Sequence, residues 1–396
     1  MEIVQDNIDS VRIAVDKSRL IFGLVCCLSL GSIFSPVLTS AAELNLMLRS
    51  PSVGSSLLSG ATYFPGGNPA NLVDHNGYGN FRLQGPFIVT RIRNTRYFAD
   101  KFDRFVEAEL RRETSLASAD AEEALAQLNS ISRPHISESR LGFSLSLPKL
   151  PVGLGAYLIR YEIANKTLQR SGISDISNPA SVQYGYQVIQ KKITIIESGT
   201  ELAKGFKLGK SGFQWINVGL RPKVMITRTQ KMKGDPLLVH QAGITPSSLS
   251  SSAFNIDAGI NLKWKYDWLF GLEANNLLEH SVLFASPERE KSTLGPELHA
   301  GVSYMSGKLM VTTSAELNPR HSLVDEPKSQ KLSMLLGYTA LSWVGFSGGI
   351  DIDRFERKYP GIRLGITIQY RHVNLEAGYA DSRLDQTSAI NFRTMF

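Results

Sequence analysis

The stretch TSAINFRTMF, residues 387–396, ends the chain and alternates between apolar and polar side chains. Ile390, Phe392 and Phe396 fall on one side of an extended strand, and Asn391, Arg393 and Met395 fall on the other. The last residues of a soluble domain are usually poorly ordered, whereas the strand that closes a membrane β-barrel is paired on both edges. The stretch therefore predicts the closing strand of such a barrel.

Other segments repeat this alternation with a period of two residues. The clearest lie at residues 140–147, 213–228, 254–265 and 361–371. Such alternation gives each strand one apolar and one polar face. Many segments run for about ten residues, the length that a tilted strand needs to cross a bilayer, while ordinary strands are roughly half as long. These lengths favour a membrane barrel over a soluble sandwich.

The connections between the segments alternate between short and long. Short turns are predicted at residues 265–266, 306–307, 340–342 and 371–372. Longer loops are predicted at residues 231–252, 279–293, 318–329, 353–360 and 381–386. Outer-membrane barrels have short turns on the periplasmic rim, long loops outside the cell and an even number of strands. The pattern predicts an all-β fold, a transmembrane antiparallel barrel of about fourteen strands with both ends on the periplasmic rim.

Aromatic residues concentrate beside the predicted short turns. They are Trp264, Trp268, Tyr304, Tyr370 and Phe396. Amphipathic aromatic rings favour the interface between membrane and water. We therefore predict that these side chains form an aromatic girdle on the periplasmic rim.

Basic residues fall on the polar faces of the predicted strands. A lysine or arginine facing lipid near the middle of the bilayer costs roughly 2–4 kcal/mol, so these side chains are expected to face the lumen. The candidates for lining the lumen are Arg221, Lys223, Lys263, Lys331, Arg363 and Arg371.

One segment, residues 180–206, does not keep a single register. Tyr184 and Val188 belong to one apolar face, whereas Ile193 and Ile195 belong to the other. Two interpretations account for this slip. Either a β-bulge lies near residues 190–192, or the strand rises above the membrane.

The beginning of the chain resembles an export signal. An apolar run at residues 20–38 ends in small residues, which predicts a signal peptide at residues 1–42. The length of the run leaves a retained membrane anchor as the alternative. Both cysteines, Cys26 and Cys27, lie in this run, so a cleaved chain would contain none. A disulfide scaffold, a thiol enzyme and a cysteine-ligated metal site are then excluded.

The residues after the signal divide into two parts. Residues 43–80 are rich in turn-forming residues, which indicates either a surface loop or an N-terminal hatch inside a larger structure. The candidates within such a hatch are Asn68, Pro69, Ala70 and Asn71. The barrel is assigned to residues 81–396, with a small helical insertion at residues 95–135 where apolar side chains recur at helical spacing.

Motifs for catalysis are sparse. The formal net charge of +7 is compatible with nucleic acid or anionic lipid as a partner without choosing between them, and no nucleic acid is predicted. Residues 205–211 approach a phosphate-binding loop but have the wrong glycine spacing and lie at a turn between strands. We expect no metal, no cofactor and no enzymatic activity, although an outer-membrane hydrolase remains an alternative because a triad needs no local motif.

The sequence also resembles a known group. Asn68-Pro69-Ala70 and the terminal Phe396 resemble the FadL-like outer-membrane barrel superfamily. More specifically, the chain resembles the barrel-forming conjugal-transfer TraF-like family, on the predicted helical insertion and on the motifs at residues 197–206, 218–224, 257–259 and 271–277.

This resemblance implies a location in the outer membrane of a Gram-negative bacterium. It implies a channel or transporter for hydrophobic compounds, and the basic lumen residues extend this expectation to anionic amphiphilic small molecules. A structural or interaction component of a conjugal-transfer or secretion apparatus is the alternative. The expected partners are outer-membrane lipid and lipopolysaccharide, the barrel assembly machinery and components of conjugation or secretion.

Overall fold

The fold is a closed antiparallel β-barrel of fourteen strands, with a short two-stranded sheet in one of its long connections. The computed structural model describes residues 68–73, 81–93, 135–147, 150–170, 186–209, 212–234, 247–265, 267–284, 290–319, 323–324, 328–341, 343–355, 360–370, 372–382 and 385–395. The predicted signal peptide, most of the predicted hatch and the predicted helical insertion lie outside these residues, except that His135 already belongs to a strand.

The elements follow one another along the chain after a 3₁₀ turn at Pro69–Leu72. The first eight strands are β1 (Arg82–Arg93), β2 (His135–Leu147), β3 (Gly153–Arg170), β4 (Tyr186–Lys207), β5 (Phe213–Gly234), β6 (Ser247–Trp264), β7 (Trp268–Asn275) and β8 (His280–Leu283). The others are β9 (Lys291–Leu294), β10 (Glu297–Ser306), β11 (Leu309–Glu316), β12 (Lys331–Leu341), β13 (Val344–Asp353), β14 (Gly361–Tyr370), β15 (Val373–Asp381) and β16 (Asp385–Met395).

The last strand closes the barrel. β16 pairs on one edge with β15 and on the other with β1, where Ile390 lies opposite Ile88. Neighbouring barrel strands are consecutive in the chain, except that β7 pairs with β10 because β8 and β9 form their own hairpin. The predicted fourteen-strand barrel is confirmed, and short and long connections alternate as predicted except at the last one, where only residues 382–384 separate β15 from β16.

The barrel is apolar outside and polar inside, the reverse of a soluble protein. On β16, Ile390 is 40% exposed and its neighbour Asn391 is fully buried. On β14, Ile362 is 61% exposed while Arg363 is 1% exposed. A closed barrel with an outward apolar band and a polar interior is an outer-membrane β-barrel. Within the described residues, no helix combines the length and the apolar character needed to cross a membrane.

Four neighbouring strands, β3 to β6, are longer than a bilayer requires. They contain 18, 22, 22 and 18 residues, whereas about ten suffice for a crossing. β4 pairs with β3 without a register shift from Tyr186 to Ala203, so no bulge lies near residues 190–192. Of the two interpretations given above, the rising strand is correct. The connection predicted at residues 231–252 is shorter for the same reason, because β5 continues to Gly234 and β6 begins at Ser247.

Candidate functional site

Two buried cations on β5 belong to a network of charges inside the barrel. The Arg221 guanidinium contacts Glu201 at 2.8 Å and Asp257 at 3.3 Å. Lys223 Nζ lies 2.8 Å from Asp257 Oδ1 and 3.4 Å from Glu197 Oε2. These side chains alternate along β4, β5 and β6 with outward apolar residues, so the strand pairing places them side by side. Both predicted lumen cations are therefore matched by carboxylates.

An aromatic ring and a loop backbone complete this network. The Tyr157 hydroxyl donates to Glu197 Oε1 at 2.7 Å, and the Arg221 guanidinium lies 5.4 Å from the centre of the Tyr157 ring. The backbone N–H of Asn276, just after β7, donates to Asp257 Oδ1 at 2.8 Å. The network therefore also fixes the start of the connection that carries the β8–β9 hairpin.

Two further inward arginines are paired in the same way. Arg363 on β14 forms an ion pair with Asp351 and donates to Ser333 Oγ at 2.9 Å. Arg91 on β1 lies 2.9 Å from Glu138. Since these cations and carboxylates cancel one another, the field that an anion would meet in the lumen is weaker than the basic residues alone suggested.

The remaining predicted lumen residues lie nearer the ends of the barrel. Lys263, close to the short-turn rim, lies 6.0 Å from the centre of the Trp215 ring. Lys331 begins β12 at the long-loop rim, where its backbone N–H donates to Glu316 at 2.8 Å. Arg371 lies outside the described residues. The predicted lumen residues thus do not form one site.

The Asn-Pro-Ala turn lies inside the barrel, against the inner surface of β4, β5 and β6. Asn68 Oδ1 accepts from the backbone N–H of Ala70 at 2.9 Å and so caps the 3₁₀ turn. Asn68 Nδ2 donates to the backbone carbonyls of Leu272 at 2.9 Å and Ile260 at 3.2 Å, and to Asn261 Oδ1 at 2.9 Å. One side chain therefore both shapes the turn and attaches it to the wall.

Three inward glycines make room for the turn, and we call Gly219, Gly259 and Gly271 the glycine platform. A Cβ added at Gly259 would lie 1.8 Å from Asn68 Oδ1, and one at Gly219 would lie 2.4 Å from the Ala70 nitrogen. A Cβ added at Gly271 would lie 3.0 Å from Asn261 Oδ1. Sequence reasoning missed this platform, although glycines within strands are a signal that another backbone approaches closely.

An apolar cluster fills the interior towards the long-loop rim. It joins inward residues of the wall to the β8–β9 hairpin and to part of the connection between β11 and β12. Its members are Ile136, Tyr161, Ile163, Ile193, Ile195, Met225, Val282, Phe284, Leu294, Leu323 and Val324. The hairpin and this connection therefore form an outer plug, defined by Val282, Phe284, Leu294, Leu323 and Val324. β4 keeps its register, and Ile193 and Ile195 are apolar on its inward face because they pack against this plug.

Polar contacts hold the hairpin in place. Glu290, beside β9, forms ion pairs with Lys191 and Lys231, which lie opposite each other on β4 and β5. Thr229 Oγ1 donates to the Leu283 carbonyl at 2.7 Å. Although burial raises the pKa of Glu290, hydrogen bonds and charges from both lysines outweigh it and hold the pKa below its ordinary value of 4.5. We call Glu290 and the two lysines the latch.

We expect Glu290→Gln to loosen the outer plug by about 1 kcal/mol or less, because the latch is partly exposed and screened by solvent. Hydrogen exchange at residues 280–294 should accelerate, measured by mass spectrometry. Since the native pKa is lowered, the contribution of the latch is present above pH 4.5 and is lost as the pH falls below it. Glu162→Gln on the outer surface serves as the control, and equal exchange in both variants would contradict the latch.

A second apolar cluster lies in the interior beside the charge network. It contains Phe87, Val89, Tyr157, Ile159, Met310, Leu335 and Ala389. Met310 and Leu335 belong to β11 and β12, across the strand order from β1 and β3, so apolar side chains meet across the barrel. The interior therefore has an apolar zone in contact with Tyr157 of the charge network.

Part of the predicted aromatic girdle lies on the short-turn rim. Trp268 is opposite Trp264 on one side and Tyr304 on the other, with a ring separation of 4.9 Å to Tyr304. Tyr370 on β14 is 52% exposed. Phe396 lies outside the described residues. No group of three or more metal-binding side chains occurs in the described part of the chain.

Comparison with known proteins identifies the family. The model of the family described as "F plasmid transfer operon, TraF, protein" matches residues 65–316. The chain belongs to this family. The match contains the Asn-Pro-Ala turn, the glycine platform, the charge network and the hairpin, and it confirms the TraF-like resemblance. The fourteen-strand barrel agrees with the FadL-like plan. No curated protein matches the sequence.

The comparison with solved structures matches outer-membrane proteins at low identity. A mutant of the monoaromatic hydrocarbon channel TodX is 9% identical, with 85% of this chain and 95% of that chain covered and a TM-score of 0.49. The toluene transporter TodX of P. putida is 9% identical over 87% and 94%, with a TM-score of 0.43. The transport unit of the autotransporter AIDA-I from Escherichia coli is 8% identical over 88% and 98%, with a TM-score of 0.36.

Proposed function

We propose that the protein is an outer-membrane channel for hydrophobic or amphiphilic small molecules, active in a Gram-negative bacterium after removal of residues 1–42. The observation that carries this proposal is the apolar inner wall formed by Ile163, Ile193 and Ile195, which the outer plug covers. When the outer plug moves away, this wall offers an apolar surface to a hydrophobic cargo, for which water is a poor competitor.

The two ends of the pathway have different closures. The outer plug covers the long-loop mouth and is attached by the latch and by Thr229. The Asn-Pro-Ala turn covers the inner surface of β4 to β6 and acts as the hatch. Between them lie the charge network and the second apolar cluster, so a cargo meets apolar and polar surfaces in turn. This lining suits an amphiphile with a small polar head.

Uptake into proteoliposomes tests the proposal. An alkyl sulfonate is a suitable probe, because its permanent charge slows its passage through lipid, and an aliphatic diazirine reports where an apolar chain binds. We expect saturable uptake of the sulfonate and labelling of the inner faces of β3 to β5. Uptake equal to that of empty liposomes, even in a variant that combines Glu290→Gln with release of the hatch, would contradict a channel.

The family match favours a second candidate, because its description names a plasmid transfer operon. In that case the barrel is a component of a conjugal-transfer or secretion apparatus, and residues 95–135 supply the contact surface. Cross-linking in cells that carry a conjugative plasmid would compare the full chain with a variant in which residues 95–135 are replaced by a short linker. Loss of specific partners from the linker variant, with a folded barrel, would favour this second function.

A further inference from the structure

The outward apolar band ends abruptly on the long strands β3 to β6. The outward row Leu158, Ser198, Val224 and Phe254 is still mostly apolar, and Leu158 is 51% exposed. In the next row towards the long loops, Arg160 is 61% exposed beside the apolar residues Leu141, Ile196 and Ile226, and this row is the last apolar one. The strands then continue for many residues, so this boundary lies on the barrel wall itself and marks the outer edge of the hydrocarbon layer.

Charged and hydroxyl side chains replace the apolar ones above this boundary. The row that contains Glu162 runs across five strands through Ser139, Glu162, Thr194, Arg228 and Ser250. Because each pairing is antiparallel and in register, these side chains all leave the same outer face of the sheet.

Three cations and one carboxylate form a compact patch there, which we call the headgroup patch: Arg160, Lys192, Arg228 and Glu162. Arg160 lies 3.1 Å from Glu162 Oε2, and Lys192 lies 2.7 Å from Glu162 Oε1. Arg228 is exposed, and its guanidinium lies 3.5 Å from the hydroxyl of Ser248. Arg160 and Arg228 are two strand spacings apart across the sheet and one outward row apart along it, about 12 Å. The cations exceed the carboxylate by two charges, so the patch attracts anions.

We infer that the headgroup patch binds the phosphorylated glucosamine headgroup of lipid A in the outer leaflet. Guanidinium and ammonium groups recognise phosphate oxygens through charge-assisted hydrogen bonds, and hydroxyls of the same row suit a sugar. The position also fits, because the patch begins where acyl chains end and headgroups begin. Glu162 holds two of the cations in place and at the same time opposes the anion.

The side of the membrane on which the headgroup patch lies identifies its ligand. The patch lies towards the long loops, which in such barrels face outside the cell. The lipid of that leaflet is lipopolysaccharide, whereas phospholipid fills the inner leaflet. A free anion would leave the apolar row beneath Arg160 without acyl chains, so the combination of both surfaces favours a phosphorylated lipid, and the hydroxyls of the row favour one with a sugar headgroup.

Binding of purified lipid A to the full chain in nonionic detergent, followed by native mass spectrometry, tests this inference. The triple variant R160Q/K192Q/R228Q should weaken binding by about tenfold or more, because charge-assisted contacts are removed. The matched control K207Q/K265Q/K308Q removes the same charge from the short-turn rim and should leave the affinity within about twofold. E162Q should bind lipid A more tightly, because the opposing carboxylate is gone.

Comparison ligands separate the sources of phosphate. Lipid A stripped of its phosphates, phosphatidylglycerol and inorganic phosphate should each bind more weakly than intact lipid A. Equal affinity for the stripped lipid, for phosphatidylglycerol or for inorganic phosphate would overturn the inference, as would an unchanged triple variant. Retained heat-modifiable gel migration confirms that each variant is folded. Because E162Q is expected to increase the affinity for lipid A, a loss of folding could not produce its result.

Discussion

Replacing Asn68 by aspartate is expected to release the Asn-Pro-Ala turn from the wall and to raise uptake of an alkyl sulfonate by about tenfold or more. The substitution keeps the shape of the side chain but replaces the amide nitrogen by oxygen. That nitrogen donates to Ile260, Leu272 and Asn261. Each lost hydrogen bond contributes about 0.5–1.5 kcal/mol, and an oxygen facing two carbonyls adds repulsion.

A substitution in the glycine platform is also expected to release the Asn-Pro-Ala turn from the wall. Gly259→Ala places a methyl group where Asn68 Oδ1 now lies, so the turn must move. Gly301→Ala is the matched control, since a Cβ at that inward glycine meets only the Thr313 carbonyl at 3.4 Å and the Ser314 side chain at 3.6 Å. Uptake is measured in proteoliposomes containing equal amounts of heat-modifiable barrel. If Gly259→Ala combined with Glu290→Gln releases the turn, seen as faster proteolysis near residue 68, without any rise in uptake over Glu290→Gln alone, the turn does not close the pathway.

The architecture was predictable because lipid imposes a simple rule on every strand. A residue pair such as Ile362 and Arg363 must face lipid and lumen respectively, and this rule repeats at each crossing. The alternation of short turns and long loops then gave the strand number. The closing strand was predictable for the same reason, since Ile390 and Asn391 follow the same rule as the other strands.

The content of the lumen was not predictable to the same degree. The alternation of apolar and polar residues places Arg221 and Asp257 inside the barrel. It does not give the register in which neighbouring strands pair, and therefore does not show which charges meet. The outer plug was missed because residues 279–293 have the length and composition of an ordinary loop. The sequence signal for the plug was the change of apolar face at Ile193 and Ile195, which indicates that something apolar covers the inward face of β4 there.

The ion pairs inside the lumen alter the expectation about cargo. The basic residues of the lumen, considered alone, favoured an anionic cargo. Their ion pairs with Glu201, Asp257 and Asp351 leave little excess positive charge at the middle of the barrel. Selection within the lumen would then depend on the apolar clusters and on the two closures, while strong excess charge lies on the outer surface at the headgroup patch.

The carboxylate at the centre of the charge network should have a large effect on stability. Asp257 is fully buried and contacts both Arg221 and Lys223. Asp257→Asn keeps its shape but removes the charge that these cations share. Loss of one partner from a buried ion pair costs about 3–5 kcal/mol, because the remaining charge is uncompensated. Urea unfolding in detergent micelles measures the loss, and Asp267→Asn in a short turn is the control, expected to change stability by less than about 0.5 kcal/mol.

A second substitution separates the charge from the packing. If the cost of Asp257→Asn arises from the uncompensated cations, adding Lys223→Met should recover part of the lost stability, because one of those cations is removed. The two substitutions together would then destabilise the barrel by less than the sum of their separate effects. Strict additivity would mean that Lys223 is satisfied by Glu197 alone, 3.4 Å away, and that Asp257 acts mainly through Arg221 and the Asn276 backbone.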